Sequence, residues 1–354
     1  MPIAPSRCAG PSDGTMKTER LQELLARFSE QRLLVIGDLM LDEFIWGKVS
    51  RISPEAPVPV VEVSETSFYP GGAANVARNL REFTQGVAVM GLVGRDPHGA
   101  QLKSLLEAGG IALDLVEEDS AWQTIVKTRV IARQQHVVRV DREGRATPDM
   151  LATVHQRALA HLRNGGLAGF DAIIIEDYAK GFLDQGFVDA LSELTTAAGI
   201  VLTVDPNPRN PLHWRGATAV KPNRSEAFGA AGRPQADTHV PPGEDTVLLE
   251  VGAELLDRWR PQSLLITLGE DGMILFEPGR APFHLPTRAR EIFDLSGAGD
   301  TAIALFTLAL ASGATAAEAA EISNHAAGVV VGKLGTATLT PDELIGSFQR
   351  DAES

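Results

Sequence analysis

The sequence predicts an α/β protein in which a mainly parallel central sheet carries a small antiparallel β lid. Short apolar runs alternate with segments of helical pattern, and they lie at residues 171–176, 199–205, 217–221, 263–268 and 273–276. This alternation is typical of a parallel sheet covered by helices on both faces. Two segments rich in β-branched residues, about 43–66 and 122–141, interrupt it. We therefore expect these two segments to pair with each other outside the main sheet.

The lid segments differ in how their strands are marked. The first contains Pro54, Pro57 and Pro59 ahead of a β-branched run, and prolines at that density suit an edge strand or an extended excursion. The second has strand-like runs at 124–132 and 136–140, which form a hairpin pattern. Such an inserted sheet often acts as a lid or as a dimer surface.

Composition narrows the class of protein. The chain has 354 residues, of which 44% are hydrophobic, and a formal charge of −14, which is ordinary for a globular protein with a sizeable core. The acidic excess argues against nucleic acid or an anionic membrane as partners, so a phosphate site must rely on local positive groups. The single cysteine, Cys8, allows no disulfide framework within one chain and fits a reducing, cytoplasmic compartment.

One large domain is expected over residues 18–347, beginning with an amphipathic helix at Thr18–Phe28. Residues 1–17 lack a continuous apolar stretch, so they form neither a signal peptide nor a membrane span. We expect them to be a disordered tail, and we expect residues 348–354 to form a short C-terminal tail.

The front of the domain holds two candidate ligand segments. A first strand at 31–37 is followed by Asp38 and Asp42, at the end where open α/β sheets keep their ligands; both can equally be loop caps. Further on, Gly71 and Gly72 lead into a helix that carries Asn75. Glycines there let the backbone approach a ligand closely, or they are needed only for steric reasons at a helix start.

The back of the domain holds the most informative stretch, Asp294-Leu-Ser-Gly-Ala-Gly-Asp300. A short strand is expected just before it, at 289–293, and a helix just after it, at 301–311. A small-residue loop that opens into a helix presents free N–H groups beside the positive end of the helix dipole, which suits phosphate. Asp300 would repel an anion unless it held the proton of an attacking hydroxyl.

Other interpretations of this loop remain. The spacing excludes a P-loop, and the loose match Gly297-x-Gly299-x-x-Ala302 to a dinucleotide-binding motif lacks enough chain after it to complete that fold. A helix entered through glycines with an aspartate cap is the structural alternative.

Polar clusters also follow four of the predicted strands. They are Asp177–Gly181, Asp205–Asn207, Lys221–Glu226 and Thr267–Gly272. Each alone could be turn chemistry, but the carboxyl ends of parallel strands share one edge of a sheet. We expect a ligand site at that edge.

Taken together, Gly71-Gly72-x-x-Asn75 and Asp294-x-Ser-Gly-Ala-Gly-Asp300 make the chain resemble the ribokinase-like carbohydrate kinases, from about Leu33 to Leu344. The resemblance implies a three-layer sandwich with a β lid, and it implies ATP and Mg²⁺. Segments such as 50–60, 177–181 and 326–336 are similar to the heptose-7-phosphate kinases of lipopolysaccharide core synthesis. Because the chain stops soon after the kinase portion, we expect the stand-alone form without adenylyl transfer. Ser296 stands where that family usually has threonine.

The resemblance also implies roles for individual residues. Asp300 would be the general base, and the N–H groups of Gly297, Ala298 and Gly299 would hold the transferring phosphate. Asn223 and Glu226 would organise Mg²⁺, Asn223 through water. The residues implied to line the nucleotide site are Lys221, Asn223, Glu226, Thr267, Gly269, Gly272 and Asn324. The residues implied to contact the sugar are Asp38, Asp42, Gly71, Gly72 and Asn75.

Recognition of the substrate's distal phosphate is less determined. Lys180 follows a strand end and is the first candidate, and Arg51 and Arg133 in the lid come next because a guanidinium suits a phosphate monoester. The two lid arginines can also be exposed charges that only solvate the sheet. Two alternatives remain for the function. The chain could be a kinase of another sugar, such as a fructokinase, or it could be a binding protein without turnover, although such a binding protein would be expected to lack Asp300. The apolar lid resembles the clasp through which relatives form homodimers.

Overall fold

The structure of the protein is a computed structural model that describes residues 16–133, 135–144, 146–235, 240–289, 293, 295–333 and 335–352. The predicted N-terminal tail lies almost entirely outside the described residues, as do Asp294 and most of the strand predicted at 289–293. The helix predicted at Thr18–Phe28 is present with those bounds.

The apolar runs of the sequence form a nine-stranded sheet in the order β13-β12-β11-β10-β9-β8-β1-β4-β5. The pairs from β5 to β11 are parallel, and β12 and β13 are antiparallel additions at one edge. The strands of this sheet are β1 (Arg32–Gly37), β4 (Gly86–Gly94), β5 (Ala112–Asp119), β8 (Ala172–Glu176), β9 (Val201–Asp205), β10 (Ala219–Val220), β11 (Ser263–Thr267), β12 (Met273–Phe276) and β13 (Phe283–Leu285).

Several of the helices between the strands begin with a side-chain cap. The Asp96 side chain accepts a hydrogen bond from the Gly99 N–H, and Pro97 occupies the first turn, so a helix begins there. The helices are α1 (Thr18–Phe28), α2 (Ala73–Arg81), α3 (Pro97–Ala108), α4 (Pro148–Arg163), α5 (Gln185–Ala198), α6 (Arg224–Ala231), α7 (Thr246–Trp259), α8 (Ala298–Ala311), α9 (Ala316–Val330) and α10 (Pro341–Ala352).

Two apolar cores lie on opposite faces of the sheet. Along β1, Leu33 and Val35 point into a core shared with α1, α2, α3, α8, α9 and α10, whereas Leu34 and Ile36 point into a core shared with α4, α5, α6 and α7. Successive strand residues face opposite sides, so a strand that is apolar throughout must be covered twice. The result is the expected sandwich of three layers.

The lid is a separate four-stranded sheet in the order β3-β2-β6-β7. Its strands are β2 (Leu39–Ile52), β3 (Pro59–Gly72), β6 (Ile125–Ala132) and β7 (Gln135–Arg142). The proline-marked β3 is an edge strand, as predicted. The outer pairs are antiparallel, but the central pair, β2 with β6, is parallel, because the chain passes through β4, α3 and β5 of the main sheet before it returns to the lid.

Several boundaries differ from the sequence-based expectations. The strands β5 and β13 were not predicted, and α8 begins at Ala298, three residues before the predicted start at Thr301. The helix α10 includes the buried Phe348 and continues to Ala352, so the predicted C-terminal tail begins inside a packed helix. None of the helices in the described part of the chain is long and apolar enough to cross a lipid bilayer.

Candidate active site

The polar clusters predicted at the strand ends meet at the carboxyl edge of the main sheet. The strands β8 and β9 pair in parallel so that Glu176 lies opposite Asp205, and Lys221 directly follows β10. The beginning of α8 packs against the same strands. The candidate site is therefore built from segments far apart in sequence that the parallel sheet brings to one edge.

The loop at the beginning of α8 has the geometry expected of an anion site. Gly297 is the N-cap residue with a φ of 82°, a left-handed conformation that favours glycine. The N–H groups of Gly297 and Gly299 donate to no acceptor within the described residues, whereas the Ala298 N–H makes a long bond of 3.3 Å to the Leu295 carbonyl. The Lys221 ammonium lies 3.7 Å from where a β-carbon on Gly299 would stand, which adds a positive charge beside the loop.

Asp300 lies in the first turn of α8, only 9% exposed, and both of its carboxylate oxygens accept hydrogen bonds from side chains. The Asn75 amide donates to Oδ2 at 2.6 Å, and the Tyr178 hydroxyl donates to Oδ1 at 2.7 Å. Burial raises the pKa of Asp300, and these two hydrogen bonds oppose that rise. The helix dipole also favours a negative charge in this position. Asp300 is thus a buried carboxylate with the partners that a proton acceptor needs.

Contacts between α2 and α8 hold this carboxylate in place. The Thr301 hydroxyl donates to Asn79 Oδ1 at 2.8 Å, and the Asn79 amide donates to the Asn75 carbonyl at 2.9 Å. Asn75 Oδ1 is buried and without a hydrogen-bond partner in the described part of the chain. An unsatisfied buried acceptor costs free energy, so Asn75 is suited to receive a ligand hydroxyl beside Asp300.

The glycines before α2 allow a close approach between strands. A β-carbon on Gly71 would lie 2.5 Å from Asp42 Oδ2, and one on Gly72 would lie 2.6 Å from the Asp38 carbonyl oxygen. The structural explanation for these glycines therefore applies, and it places the Asp42 carboxylate at the front of α2.

The two aspartates after β1 have different surroundings. Asp38 accepts hydrogen bonds from the N–H groups of Tyr178 and Lys180, each at 3.0 Å, and of Phe182 at 3.3 Å. Its carboxylate therefore clamps the loop after β8, as the loop-cap alternative predicts. Asp42 forms a buried ion pair with Arg129 of β6.

A second acidic group surrounds Lys221, which is 2% exposed and lies 2.7 Å from Asp205 Oδ2. Burial raises the pKa of Asp205 to about 7, although Lys221 opposes the rise. Burial, with the charge of Asp205, raises the pKa of Glu176 well above its usual range, and Glu176 Oε1 has no hydrogen bond to any described residue. Burial alone would lower the pKa of Lys221, but Asp205 and Glu226 together raise it. The Lys221 ammonium thus partly neutralises the charges of Asp205, Glu226 and Glu176 together.

The predicted Mg²⁺ pair also has a structural role. Asn223 and Glu226 form a capping box at the beginning of α6, in which Asn223 Oδ1 accepts from the Glu226 N–H at 2.9 Å and Glu226 Oε2 accepts from the Asn223 N–H at 2.8 Å. Glu226 Oε1 takes no part in these bonds. Within the described ranges, no cluster of three or more His, Cys, Asp or Glu side chains could hold a metal alone. Oxygen donors such as Glu226 Oε1 and the unpartnered Glu176 Oε1 do fit Mg²⁺ that keeps several waters.

Four residues predicted to line a nucleotide site border one cavity beside the anion loop. The cavity is lined by Thr267, Gly269, Gly272 and Asn324 together with Ala298 and Gly299 of α8. The Asn324 amide donates to the Pro286 carbonyl at 2.7 Å, so it also fixes the cavity wall. The structure therefore brings these four predicted residues together next to the loop at Gly297–Gly299.

The three predicted phosphate contacts are dispersed. Lys180 lies beside the site, and its ammonium pairs with Glu143 just after β7. Arg51 is nine positions beyond Asp42 on β2, roughly 30 Å along an extended strand. Arg133 is exposed at the tip of the β6–β7 hairpin, with a φ of 48°. Within one chain the structure does not bring Arg51 or Arg133 to Asp300.

Sequence reasoning did not single out Tyr178, Lys127 and Arg129. Tyr178 stood in a predicted polar cluster, but its hydrogen bond to Asp300 depends on the fold. Lys127 and Arg129 alternate with Val126 and Thr128 on β6. Two cations on one face of an otherwise apolar strand were the available signal, because side chains two apart share a face.

A buried carboxylate beside a loop with available N–H groups, at the carboxyl edge of a parallel sheet, suits phosphoryl transfer to a hydroxyl. Comparison with known families agrees, since residues 30–343 match the pfkB family carbohydrate kinase. The chain belongs to this family, whose kinases use ATP as co-substrate.

Individual relatives narrow the comparison. The chain is 40% identical over 335 residues to the bifunctional protein HldE of Desulfatibacillum aliphaticivorans, an alignment that covers 94% of this chain and 66% of that protein. Arabidopsis thaliana ribokinase, solved with ribose and ATP, has a TM-score of 0.66 at 18% identity and covers 90% of this chain and 99% of its own. Phosphofructokinase-2 from Escherichia coli, solved with potassium, has a TM-score of 0.70 at 18% identity, over 91% of this chain and 99% of its own. At that identity the two solved structures show a shared ribokinase-like fold.

Proposed function

We propose that this protein transfers the γ-phosphoryl group of ATP to O1 of D-glycero-D-manno-heptose 7-phosphate and so forms heptose 1,7-bisphosphate, a step in ADP-heptose and lipopolysaccharide core synthesis. The observation that carries the kinase chemistry is the position of Asp300, which lies beside the anion loop and faces Asn75 and Tyr178. The choice of heptose is supported by the similarity to HldE across 94% of this chain.

In this proposal, Asp300 carries out the proton transfer. A sugar hydroxyl that enters beside Asn75 can donate its hydrogen bond to Asp300, which accepts the proton as the oxygen attacks phosphorus. The free N–H groups of Gly297 and Gly299 then face the phosphoryl oxygens, where negative charge accumulates. Because these donors are fixed by the helix start, they need no rearrangement during the reaction.

The donor nucleotide is proposed to occupy the cavity bordered by Thr267, Gly269, Gly272 and Asn324. Its triphosphate would extend from there toward Lys221 and Gly299. The carboxyl groups near Lys221 would repel a triphosphate, so we propose that Glu226 holds Mg²⁺ with Asn223 contributing through water, and Glu176 is available as a further oxygen donor. Mg²⁺ would supply charge neutralisation for the phosphates.

The experiment is a panel of sugars and sugar phosphates assayed for ATP consumption, with phosphorus NMR of each product. The proposal expects the highest kcat/KM with heptose 7-phosphate and a new anomeric phosphate resonance. A higher kcat/KM with fructose or fructose 6-phosphate would reject the heptose assignment. If none of the sugars in the panel supported ATP consumption, the kinase assignment would be rejected.

We further propose a homodimer formed through the lid. Its strands expose large apolar side chains, among them Trp46, Ile52, Val63, Val138 and Val140. Clustered exposed apolar groups mark interaction surfaces. Size-exclusion chromatography with light scattering should give twice the chain mass, and Val63→Lys should shift the equilibrium toward monomer. A monomer at micromolar concentration in the unaltered protein would contradict the dimer.

A further inference from the structure

Lys127 of β6 projects toward the candidate active site from the lid. It pairs in register with Asp42 of β2, and its ammonium lies 4.9 Å from the centre of the Tyr178 ring. The hydroxyl of the same ring donates to Asp300. The Tyr178 side chain therefore contacts both the Lys127 ammonium and Asp300, the proposed general base, and bridges the two.

The charge of Lys127 has no anionic partner in the described part of the chain. Its ammonium makes no ion pair or hydrogen bond there, and the adjacent Asp42 already pairs with Arg129. Burial lowers the pKa of Lys127, and the charges of Lys180 and Arg129 lower it further, while Asp42 raises it. A partly buried ammonium beside other cations is unfavourable unless an anion joins them.

Lys180 reaches the same place from the main sheet. It lies two residues after Tyr178, in the loop that Asp38 clamps. Its only ion pair among the described residues is with Glu143, whose side chain is 39% exposed. The Lys180 side chain is only 14% exposed, but Glu143 is the exposed member of the pair, so a dianion that reaches Lys180 can displace Glu143 into solvent.

We propose that Lys127 and Lys180 form a subsite for a phosphate monoester carried by the acceptor sugar at the end away from Asp300. This inference rests on the proposed function and assigns its phosphate recognition to β6 and the β8–α5 loop. Two ammonium groups suit the double charge of a phosphate monoester better than a single carboxylate or hydroxyl. The Tyr178 ring lies between the subsite and Asp300, since its face contacts Lys127 and its hydroxyl contacts Asp300. The phosphate and the reacting hydroxyl of one sugar can therefore be held on either side of this ring.

The test compares Lys127→Met, Lys127→Arg and the control Lys48→Met, which removes an exposed lysine of the same sheet. Each full-length variant is assayed at saturating ATP with heptose 7-phosphate and with the same heptose lacking its phosphate. Lys127→Met should raise KM for the phosphorylated sugar about 10- to 100-fold, as expected for a lost charged hydrogen bond. KM for the unphosphorylated sugar should change less than about 3-fold, kcat should stay close to that of the unaltered protein, and Lys127→Arg should recover part of the loss.

Two outcomes would overturn the subsite. One is an equal rise of KM for both sugars, and the other is no rise for either. Titration calorimetry with inorganic phosphate at saturating ATP, which occupies the loop at Gly297 and Gly299, supplies a readout independent of turnover. Lys127→Met should weaken phosphate binding that Lys48→Met leaves intact. Phosphate binding that both variants share would also reject the subsite. Measured melting temperatures separate these results from misfolding.

The heptose assignment and the phosphate subsite can fail independently, and the same assays distinguish the two failures. If the unaltered protein prefers another sugar phosphate, the heptose proposal fails, and the paired comparison is made with that sugar and its unphosphorylated form. If Lys127→Met affects both members of the pair equally while heptose 7-phosphate remains the best substrate, the subsite fails and the proposed function stands.

Discussion

The main sheet and the lid are both β-sheets, but they hold their functional residues in different ways. In the main sheet, β1 and β8 are buried on both faces, and Asp300, Lys221 and Asp205 are fixed by packed helices and by each other. In the lid, half of the residues of β3 and most of those of β7 are exposed, and Lys127 and Arg129 are half-buried residues of the inner strand β6. The difference suggests that the main body controls the chemical step and that the lid controls which sugar is accepted. Changes in the body should therefore act mainly on kcat, and changes in the lid mainly on KM.

The largest effect is expected for Asp300→Asn. Loss of the proton acceptor should lower kcat by roughly 10²–10⁴-fold, while binding of ATP measured by calorimetry changes little. Asp257→Asn, at an exposed position of α7, is the matched control and should retain full activity. Turnover that survives in Asp300→Asn would remove Asp300 from its role and would weaken the distinction between body and lid.

A smaller but still large effect is expected for Gly297→Ala. Alanine there would adopt a left-handed conformation and place its β-carbon 3.1 Å from Asn75 Nδ2, the donor to Asp300. We expect a loss of stability of about 1–2 kcal/mol and a fall in kcat of about 10-fold or more.

Gly199→Ala is the control for backbone strain, because Gly199 is left-handed at the end of α5 with open space around it. It should lose similar stability in thermal unfolding and keep its kcat. Equal losses of kcat in the two variants would mean that the anion loop has no special requirement for glycine.

Tyr178→Phe should move the pH dependence of turnover. The hydroxyl of Tyr178 donates to Asp300 and helps to keep its pKa down against the effect of burial. Without that donor the Asp300 pKa rises further. Since the base must be deprotonated, kcat/KM falls as pH drops through this pKa, and the acidic limb of the profile should shift to higher pH. Tyr69→Phe alters the second of the two tyrosines and should leave the limb in place. A limb that does not move would show that Tyr178 does not act on Asp300.

The smallest effect is expected for Arg51→Ala and Arg133→Ala. Both arginines lie on the distal part of the lid, so KM for a phosphorylated sugar should change by less than about 3-fold. A tenfold rise in either variant, measured at protein concentrations that favour a dimer, would indicate that a second copy brings its lid arginine to this site.

Much of the fold could be predicted from the sequence because its signals are local. Apolar runs define the strands, and the cap at Asp96 defines the beginning of α3. The parallel pairing of β2 with β6 has no local signal, since it depends on the path of the chain through the main sheet. The start of α8 was predicted too late because the glycines at 297 and 299 mask a helical turn.

The candidate site was predicted less evenly. The motif around Asp300 and the cavity residues Thr267, Gly272 and Asn324 came together as expected. Asp38 could not be assigned, because an aspartate after a strand can equally face a ligand or, as observed, accept three backbone N–H groups. The role of Lys127 is a tertiary property, since its relation to Tyr178 exists only once the lid lies over the sheet.

The hydrogen bonds of Asp300 join it to Asn75, which lies 225 positions earlier in the chain, and to Tyr178, which lies 122 positions earlier. During synthesis, the segment with Asn75 is made long before the segment that supplies the carboxylate. If Asp300 is the proposed base, an incomplete chain has no assembled base and should not consume ATP. Contacts of such high sequence separation also form slowly, so recovery of enzymatic rate after dilution from urea would report the last stage of refolding.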